Sequence, residues 1–357
     1  MTDSPALDVL QTLRAWQRAG HRAVLVTVLD TYGTSPRPPG SLAAIRDDGA
    51  VAGSVSGGCV EDVLARHVQA RWAAADAGQP PPACERLRYG RDAEEQNRLR
   101  LPCGKQVHVS VEYRVDPATL ARTLAALADR RTVQRTLRYR DGHVALEIAL
   151  DTRPAALPAP GLARDADGHS HRLGPSHRLI LVGANDVARY IAPMALALGF
   201  QVLVCEPRAA YQSGWNVPGA PLDARMPDDL IRACAADAAT AVLAISHDPR
   251  LDDLALMEAL PSDCFYVGVV GSRTSTAPRR ARLAMLDVPP AQLNRLHSPA
   301  GLPIGSRTPP QIAVSVLAEL VAAQQAAPAA AGHSGSVSHA ANPDKPTPAS
   351  RGCLLPD

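Results

Sequence analysis

Apolar and polar positions follow two rhythms along this chain, and the change between them falls near residue 179. In the first stretch Leu7, Leu10, Leu13 and Trp16 recur at helical spacing, which predicts an amphipathic helix over 5–20. The run AVLVTVLD (23–30) is apolar and β-branched, as a buried strand requires. SLAAIRDDGAVAGSV reads as a hairpin turning at Asp47-Asp48-Gly49, because an Asp-Gly pair accepts the positive φ of such a turn. A helix follows through CVEDVLARHVQARWAAA, and the period-two segments CERLRY (84–89) and KQVHVSVEYR (105–114) predict half-buried strands. Residues 1–115 are thus expected to form one strand-rich α/β domain.

PATLARTLAALADR (117–130) has helical periodicity, and TVQRTLRYRDGHVALEIAL predicts a second hairpin turning at Asp141-Gly142. Residues 151–178, rich in Pro, Ala, Gly and His, read as a linker or surface loop, so 116–178 is expected to connect two domains. From 179 the apolar runs LILVGA, QVLVCEP, AVLAIS and FYVGVV alternate with helical patterns. That alternation predicts βαβ units, hence a Rossmann-like doubly wound parallel sheet with helices on both faces across 179–327. IAVSVLAELVAAQQAA (312–327) is its last helix. The remainder, 328–357, is rich in small and polar residues and proline, has too little apolar surface to fold, and is expected to be disordered.

At 357 residues the chain can build two ordinary cores, and a net charge of +2 with mixed signs argues against a nucleic-acid-binding domain. No basic region followed by an apolar run opens the sequence, and no apolar stretch reaches the length of a membrane span. Seven cysteines (59, 84, 103, 205, 234, 264 and 353) are scattered, odd in number and never paired as C-x-x-C. That pattern points to a reducing cytoplasm rather than a disulfide framework or a zinc ribbon.

The candidate chemistry lies in loops. Cys59 follows Gly57 and Gly58 at a strand-to-helix turn, where amides without a neighbouring Cβ can close on an anion and a helix N-terminus favours thiolate; a buried structural cysteine is the alternative. Arg37 sits among prolines in SPRPPGS, a rigid turn that can aim a guanidinium. Cys103 lies on the Pro/Gly turn Leu101-Pro102-Cys103-Gly104, whereas Cys205, Cys234 and Cys264 fall in apolar runs and read as core. Glu61 and Asp62 suit the first turn of a helix. In the second domain Gly183-Ala184-Asn185-Asp186-Val187-Ala188 matches a dinucleotide fingerprint at Gly183 and Ala188, with Glu206 at the ribose acid, but Asn185 replaces the glycine that admits a pyrophosphate. Gly271-Ser272-Arg273, with Arg279 and Arg280 behind it, and Gly305-Ser306-Arg307 are further anion candidates after strands. His247-Asp248 is the sole proton-transfer candidate.

Taken in order, TYGTSPRPPGSLAAI, GSVSGGCVED, LPCG, LVGANDVARYIAPMA, VCEPR, SHDPRLDDLAL, FYVGVVGSR and IGSRTPPQIAVSVLAEL resemble the XdhC/CoxI family of bacterial accessory proteins for xanthine dehydrogenase. The resemblance covers about 1–115 and 178–325. It implies an N-terminal XdhC/CoxI domain joined to a Rossmann domain, and a chaperone that binds molybdenum cofactor, protects it during sulfuration by a cysteine desulfurase, and inserts it into a molybdenum hydroxylase. The cysteine that holds the cofactor and its metal would be Cys103 or Cys59. The anionic end would meet Gly57, Gly58, Arg37, Gly271, Ser272 or Arg273, and the choice between plain molybdopterin and its cytosine dinucleotide stays open, as does a homodimer. Two places depart from the family pattern: Asn185-Asp186 stand for a glycine and a histidine, and Lys105 stands for the second glycine after Cys103. The competing expectation is an NAD(P)-dependent oxidoreductase built on Gly183, Ala188 and Glu206.

Overall fold

The computed structural model describes residues 5–32, 37–58, 60–90, 106–149 and 161–326. Its first unit runs α1 (Pro5–Arg18), β1 (Ala23–Tyr32), β2 (Leu42–Arg46), β3 (Val51–Gly53), α2 (Glu61–Asp76), β4 (Cys84–Tyr89) and β5 (Gln106–Glu112). The strands form an antiparallel sheet in the order β3-β2-β1-β5-β4. From Ala23 to Leu29, β1 is apolar except at Thr27, because both its faces are covered there, and polar residues begin at Asp30. Val24, Val26 and Val28 pack with Val60, Leu64 and Val68 around α2, whereas Ala23 and Leu25 pack with Leu7, Leu10 and Leu13 of α1. The expected hairpin is present, with Gly49 at φ +92°.

Next come α3 (Pro117–Ala128), β6 (Val133–Arg138), β7 (Val144–Ile148), β8 (Gly161–Arg164) and β9 (Gly168–Leu173). The second predicted hairpin is β6–β7. The reading of 151–178 as linker is corrected for 161–173, which supply two strands of a four-stranded sheet, β7-β6-β9-β8. The tight turn between them is fixed by the Asp165 carboxylate, which accepts from the amides of Asp167 and Gly168. The inward positions of β9 are His169, His171 and Leu173, all buried, so the alternation is carried by histidines and gives little apolar signal. This small sheet is bolted to the first one by Arg135, whose Nη2 reaches both Glu112 carboxylate oxygens at 2.6 and 2.5 Å with both residues buried.

The last unit contains β10 (Arg178–Val182), α4 (Asp186–Ala197), β11 (Gln201–Cys205), α5 (Ala209–Gln212), β12 (Leu222–Asp223), α6 (Pro227–Ala233), β13 (Thr240–Ala244), α7 (Pro249–Ala259), β14 (Tyr266–Val269), α8 (Arg273–Met285), α9 (Pro290–Leu293), β15 (Leu296–His297) and α10 (Pro309–Ala326). All six strands are parallel, in the order β12-β11-β10-β13-β14-β15, which is the doubly wound Rossmann order with its switch point between β10 and β13. One apolar layer joins the sheet to α4 and α10 through Ile191, Ala195, Val316 and Leu320. The other joins it to α6, α7 and α8 through Leu230, Leu256 and Leu283. Arg130, beyond α3, ties the middle unit to this domain with Nε and Nη2 on the two oxygens of Asp237, 2.7 and 2.8 Å away.

Candidate cofactor-binding site

The loop SVSGG is built around one carboxylate. Glu61, in the first turn of α2, points back and accepts from Ser54 Oγ at 2.6 Å, Ser56 Oγ at 2.6 Å, and the amides of Val55, Ser56, Gly58 and Val60 at 2.8 to 3.2 Å. The Gly57 amide donates to Ser54 Oγ at 3.0 Å. Burial pushes the Glu61 carboxyl up, but the hydroxyls of Ser54 and Ser56 and the amides of Ser56 and Val55 outweigh it and lower it to about 2. The glycine amides expected to meet an external anion are therefore taken internally, Gly58 by the Glu61 carboxylate and Gly57 by the Ser54 hydroxyl. Gly57 and Gly58 have φ of +96° and +123°, so the turn itself demands glycine. Cys59 lies outside the described residues, yet the amides on both sides of it, those of Gly58 and Val60, are held by this clamp. Cys103 also lies outside the described residues, in the chain between β4 and β5.

Arg37 lines a cleft of 490 Å³ at the junction of all three units. Gly53 and Ser54, at the entry to the glutamate-clamped loop, line it together with His171, Arg172, His177 and Gln324. Gly40 (φ +90°) closes the Pro-rich turn against His171, whose Nε2 lies 3.2 Å from where a Cβ would be. Burial and the nearby Arg135 lower His171 to about 4, so it stays neutral near pH 7. The turn over 37–41 and the first two residues of GSVSGG, Gly53 and Ser54, thus meet at one interface between units.

The Rossmann candidates gather elsewhere. Gly183 (φ +117°) lets β10 turn beneath the loop after β13: a Cβ there would lie 2.6 Å from Ser246 Cα. Asn185 takes an extended backbone (φ −104°, ψ −176°) rather than the left-handed one it tolerates; its Oδ1 caps α4 by accepting from the Ala188 amide, and its Nδ2 donates to the Ile245 carbonyl. Its side chain thus stitches the turns after β10 and β13 together where the fingerprint glycine would leave room. Glu206 is fully buried, and both its oxygens are taken, by the Ala184 amide at 3.0 Å and by the amide and guanidinium of Arg208. Burial alone would raise its pKa; the Arg208 side chain and the backbone amides reverse the sign. Gly271, Ser272 and Arg273 are exposed at the start of α8, where Ser272 and Ser275 satisfy each other's amides in a capping box. Arg279 is buried behind them, 4.0 Å from Asp252, and Arg280 binds the carbonyls of Leu293 and Leu296. His247 (φ +59°) is exposed, and Asp248 is engaged in capping α7 and pairing with Arg250.

These two groups do not converge. His177 and Gly199, which line the cleft, precede β10 and β11, whereas Gly183 and Glu206 follow them. Five residues of strand, roughly 16 Å, separate the ends. Arg37 shares its cleft with Gly53 and Ser54, at the entry to the glycine loop, and Gly183, Glu206 and Gly271-Ser272-Arg273 stand at the far end of the parallel sheet. Of the groups that organise these places, the clamp role of Glu61 and the locking role of Arg208 were not legible from motif matching. The spacing Glu206-Pro207-Arg208, a proline-stiffened carboxylate–guanidinium pair, is the signal that was available.

Fold and site define a two-part class: an antiparallel α/β domain with a clamped glycine loop, followed by a Rossmann domain whose dinucleotide crevice is filled by its own side chains. Residues 16–90 match the family model described as the XdhC and CoxI family, and residues 179–320 match the XdhC Rossmann domain. The chain belongs to the XdhC/CoxI family. It is similar to the molybdenum cofactor insertion chaperone PaoD of Escherichia coli K12, at 26% identity over 312 residues, covering 85% of this chain and 83% of that protein. It is similar too to a probable xanthine dehydrogenase subunit of Bacillus subtilis 168, at 24% identity over 318 residues, covering 84% and 92%. A crystal structure described as a xanthine dehydrogenase from Bacillus halodurans shares the fold, with a TM-score of 0.71 and 23% identity over 91% of this chain and 98% of that one.

Proposed function

We propose that this protein binds molybdenum cofactor, shields it during sulfuration and hands it to a molybdenum hydroxylase of the xanthine dehydrogenase kind. The observation that carries this reading is the alignment of a molybdenum cofactor insertion chaperone along 85% of the chain, through both domains. The geometry agrees with a carrier. A rigid loop clamped by Glu61 fixes the backbone on either side of Cys59, and an open cleft between units, lined by Arg37, reaches Gly53 and Ser54 at the entry to that loop. In the cargo, the metal would take a cysteine thiolate from Cys103 or Cys59, and the pterin phosphate, with or without a cytosine nucleotide, would take guanidinium and amide donors. A cysteine desulfurase would supply sulfur to the bound cofactor. Because the amides of Val55, Ser56, Gly58 and Val60 are already spent on the Glu61 carboxylate and that of Gly57 on Ser54, Cys103 is the stronger candidate for the thiolate. The oxidoreductase alternative is not favoured, since the ribose acid and the pyrophosphate gap are both occupied from within.

The test is cofactor retention by purified protein. The expected result is close to one equivalent bound, with a strong loss in Cys103→Ala. Unchanged retention in both Cys103→Ala and Cys59→Ala would reject the thiolate role.

A further inference from the structure

Strands β4, β5 and β1 place Arg88, His108 and Asp30 in one row across the first sheet, Arg88 opposite His108 and His108 opposite Asp30. Arg86 stands two residues along β4 on the same face, with its guanidinium 4.7 Å from the Tyr139 ring, and Arg164 of β8 reaches over from the small sheet to pair with Asp30. His108 completes the row, its Nδ1 3.5 Å from the Asp30 carboxylate. Arg86, Arg88, His108 and Arg164 line a pocket of 610 Å³ with Leu87 and Val109 in its walls. Three guanidinium groups thus border a concave surface. Among the described residues the only carboxylate paired with any of them is Asp30, already shared by Arg164 and His108. Burial and the charge of Arg88 lower the His108 pKa, so near neutral pH the ring adds a hydrogen-bonding group rather than a further charge.

We infer that this pocket is a binding site for a phosphate or pyrophosphate group. Arg86 and Arg88 are exposed and spaced two residues apart on one strand face, so their planar forks can address two oxygens, or two phosphates, at once. The walls are partly apolar and the pocket is concave, which concentrates the positive field on a small anion instead of spreading it along a polyanion. The ligand class is a compact phosphorylated organic molecule. The inference deepens the proposed function, on which it rests for the natural ligand: the pocket is lined by Arg88 and Tyr89 at the end of β4 and by His108 near the start of β5, the two strands between which Cys103 falls in sequence, so the phosphate-bearing end of the cofactor would lie here and not at the Rossmann crevice.

The experiment titrates the full-length protein calorimetrically with inorganic pyrophosphate, with orthophosphate and with cytidine diphosphate, and in parallel measures retention of molybdopterin. Wild type is expected to bind pyrophosphate. Arg88→Ala and Arg86→Ala should each weaken it by about tenfold or more, with circular dichroism unchanged. Arg232→Ala, an exposed arginine on α6 in the other domain, should leave it intact. A preference for cytidine diphosphate over pyrophosphate assigns the pocket to a nucleotide-extended cofactor, and equal affinity assigns it to the bare phosphate end. Pyrophosphate binding that survives both pocket substitutions, or that wild type lacks, overturns the inference. Wild type that holds pyrophosphate through this pocket but retains no molybdopterin leaves the inference standing and defeats the chaperone reading. Retention of molybdopterin without pyrophosphate binding does the reverse.

Discussion

Arg208 lays its guanidinium fork against the Glu206 carboxylate, Nε to Oε1 at 2.8 Å and Nη2 to Oε2 at 2.9 Å. In a dinucleotide-binding Rossmann domain that carboxylate would be kept for a ribose hydroxyl. Titration with NADH, followed by its fluorescence, should therefore show no micromolar saturation. Asn185→Gly alone should not create it, because reopening the turn leaves Glu206 locked. Tight NADH binding by wild type would refute this assignment of the crevice.

The Glu61 clamp makes a pH prediction. Its carboxyl is lowered to about 2, below its ordinary value of 4.5, so its contribution is fully present above about pH 4.5 and is lost as pH falls toward 2. Glu85, held by His67, Tyr113 and Arg71, is likewise lowered to about 2 and acts over the same window. Glu61→Gln sets an amide NH₂ against donors that all point inward, and should cost about 2–3 kcal/mol at pH 7. Urea unfolding across pH 2.5 to 7 should show a shallower acid limb in this variant. An unchanged limb would remove Glu61 as the organiser of the loop.

The Arg135–Glu112 pair should behave asymmetrically. Arg135→Ala strands a buried carboxylate at the junction of the two antiparallel sheets and should cost about 3–5 kcal/mol, whereas Arg135→Met with Glu112→Leu should recover most of that loss. Equal destabilisation in the single and double variants, measured by chemical denaturation, would contradict this account.

Thiol chemistry should divide the cysteines. Burial is the main cause that pushes Cys84 and Cys205 up to about 12 and raises Cys264 as well. Brief alkylation of native protein at pH 8, mapped by mass spectrometry, should leave these three unmodified. Rapid labelling of Cys205 or Cys264 would show that the Rossmann core opens far more readily than its packing implies.

Much of this architecture was legible in the sequence because burial writes itself as period. The continuous apolar runs at 179–182, 201–205 and 240–244 can sit only in a sheet covered on both faces, and the structure places them there. The strands at 161–173 escaped because β8 is largely exposed and two of the three inward positions of β9 are histidines, of which His169 lies near Arg135 and Tyr139 from elsewhere in the chain. The sites were less legible for a related reason. Gly57, Gly58 and Gly183 announce turns that need their backbone freedom, but not whether the exposed amides face solvent or an acceptor such as Glu61. Arg86, Arg88 and Arg164 come together only through strand register and a cross-sheet contact, which no local spacing encodes.

The first domain abuts the amino ends of the parallel strands, while the crevice bounded by Gly183 and Ser272 opens at their carboxyl ends. The two mouths thus share no lining residue, and a substitution in the lining of one leaves the side chains of the other in place.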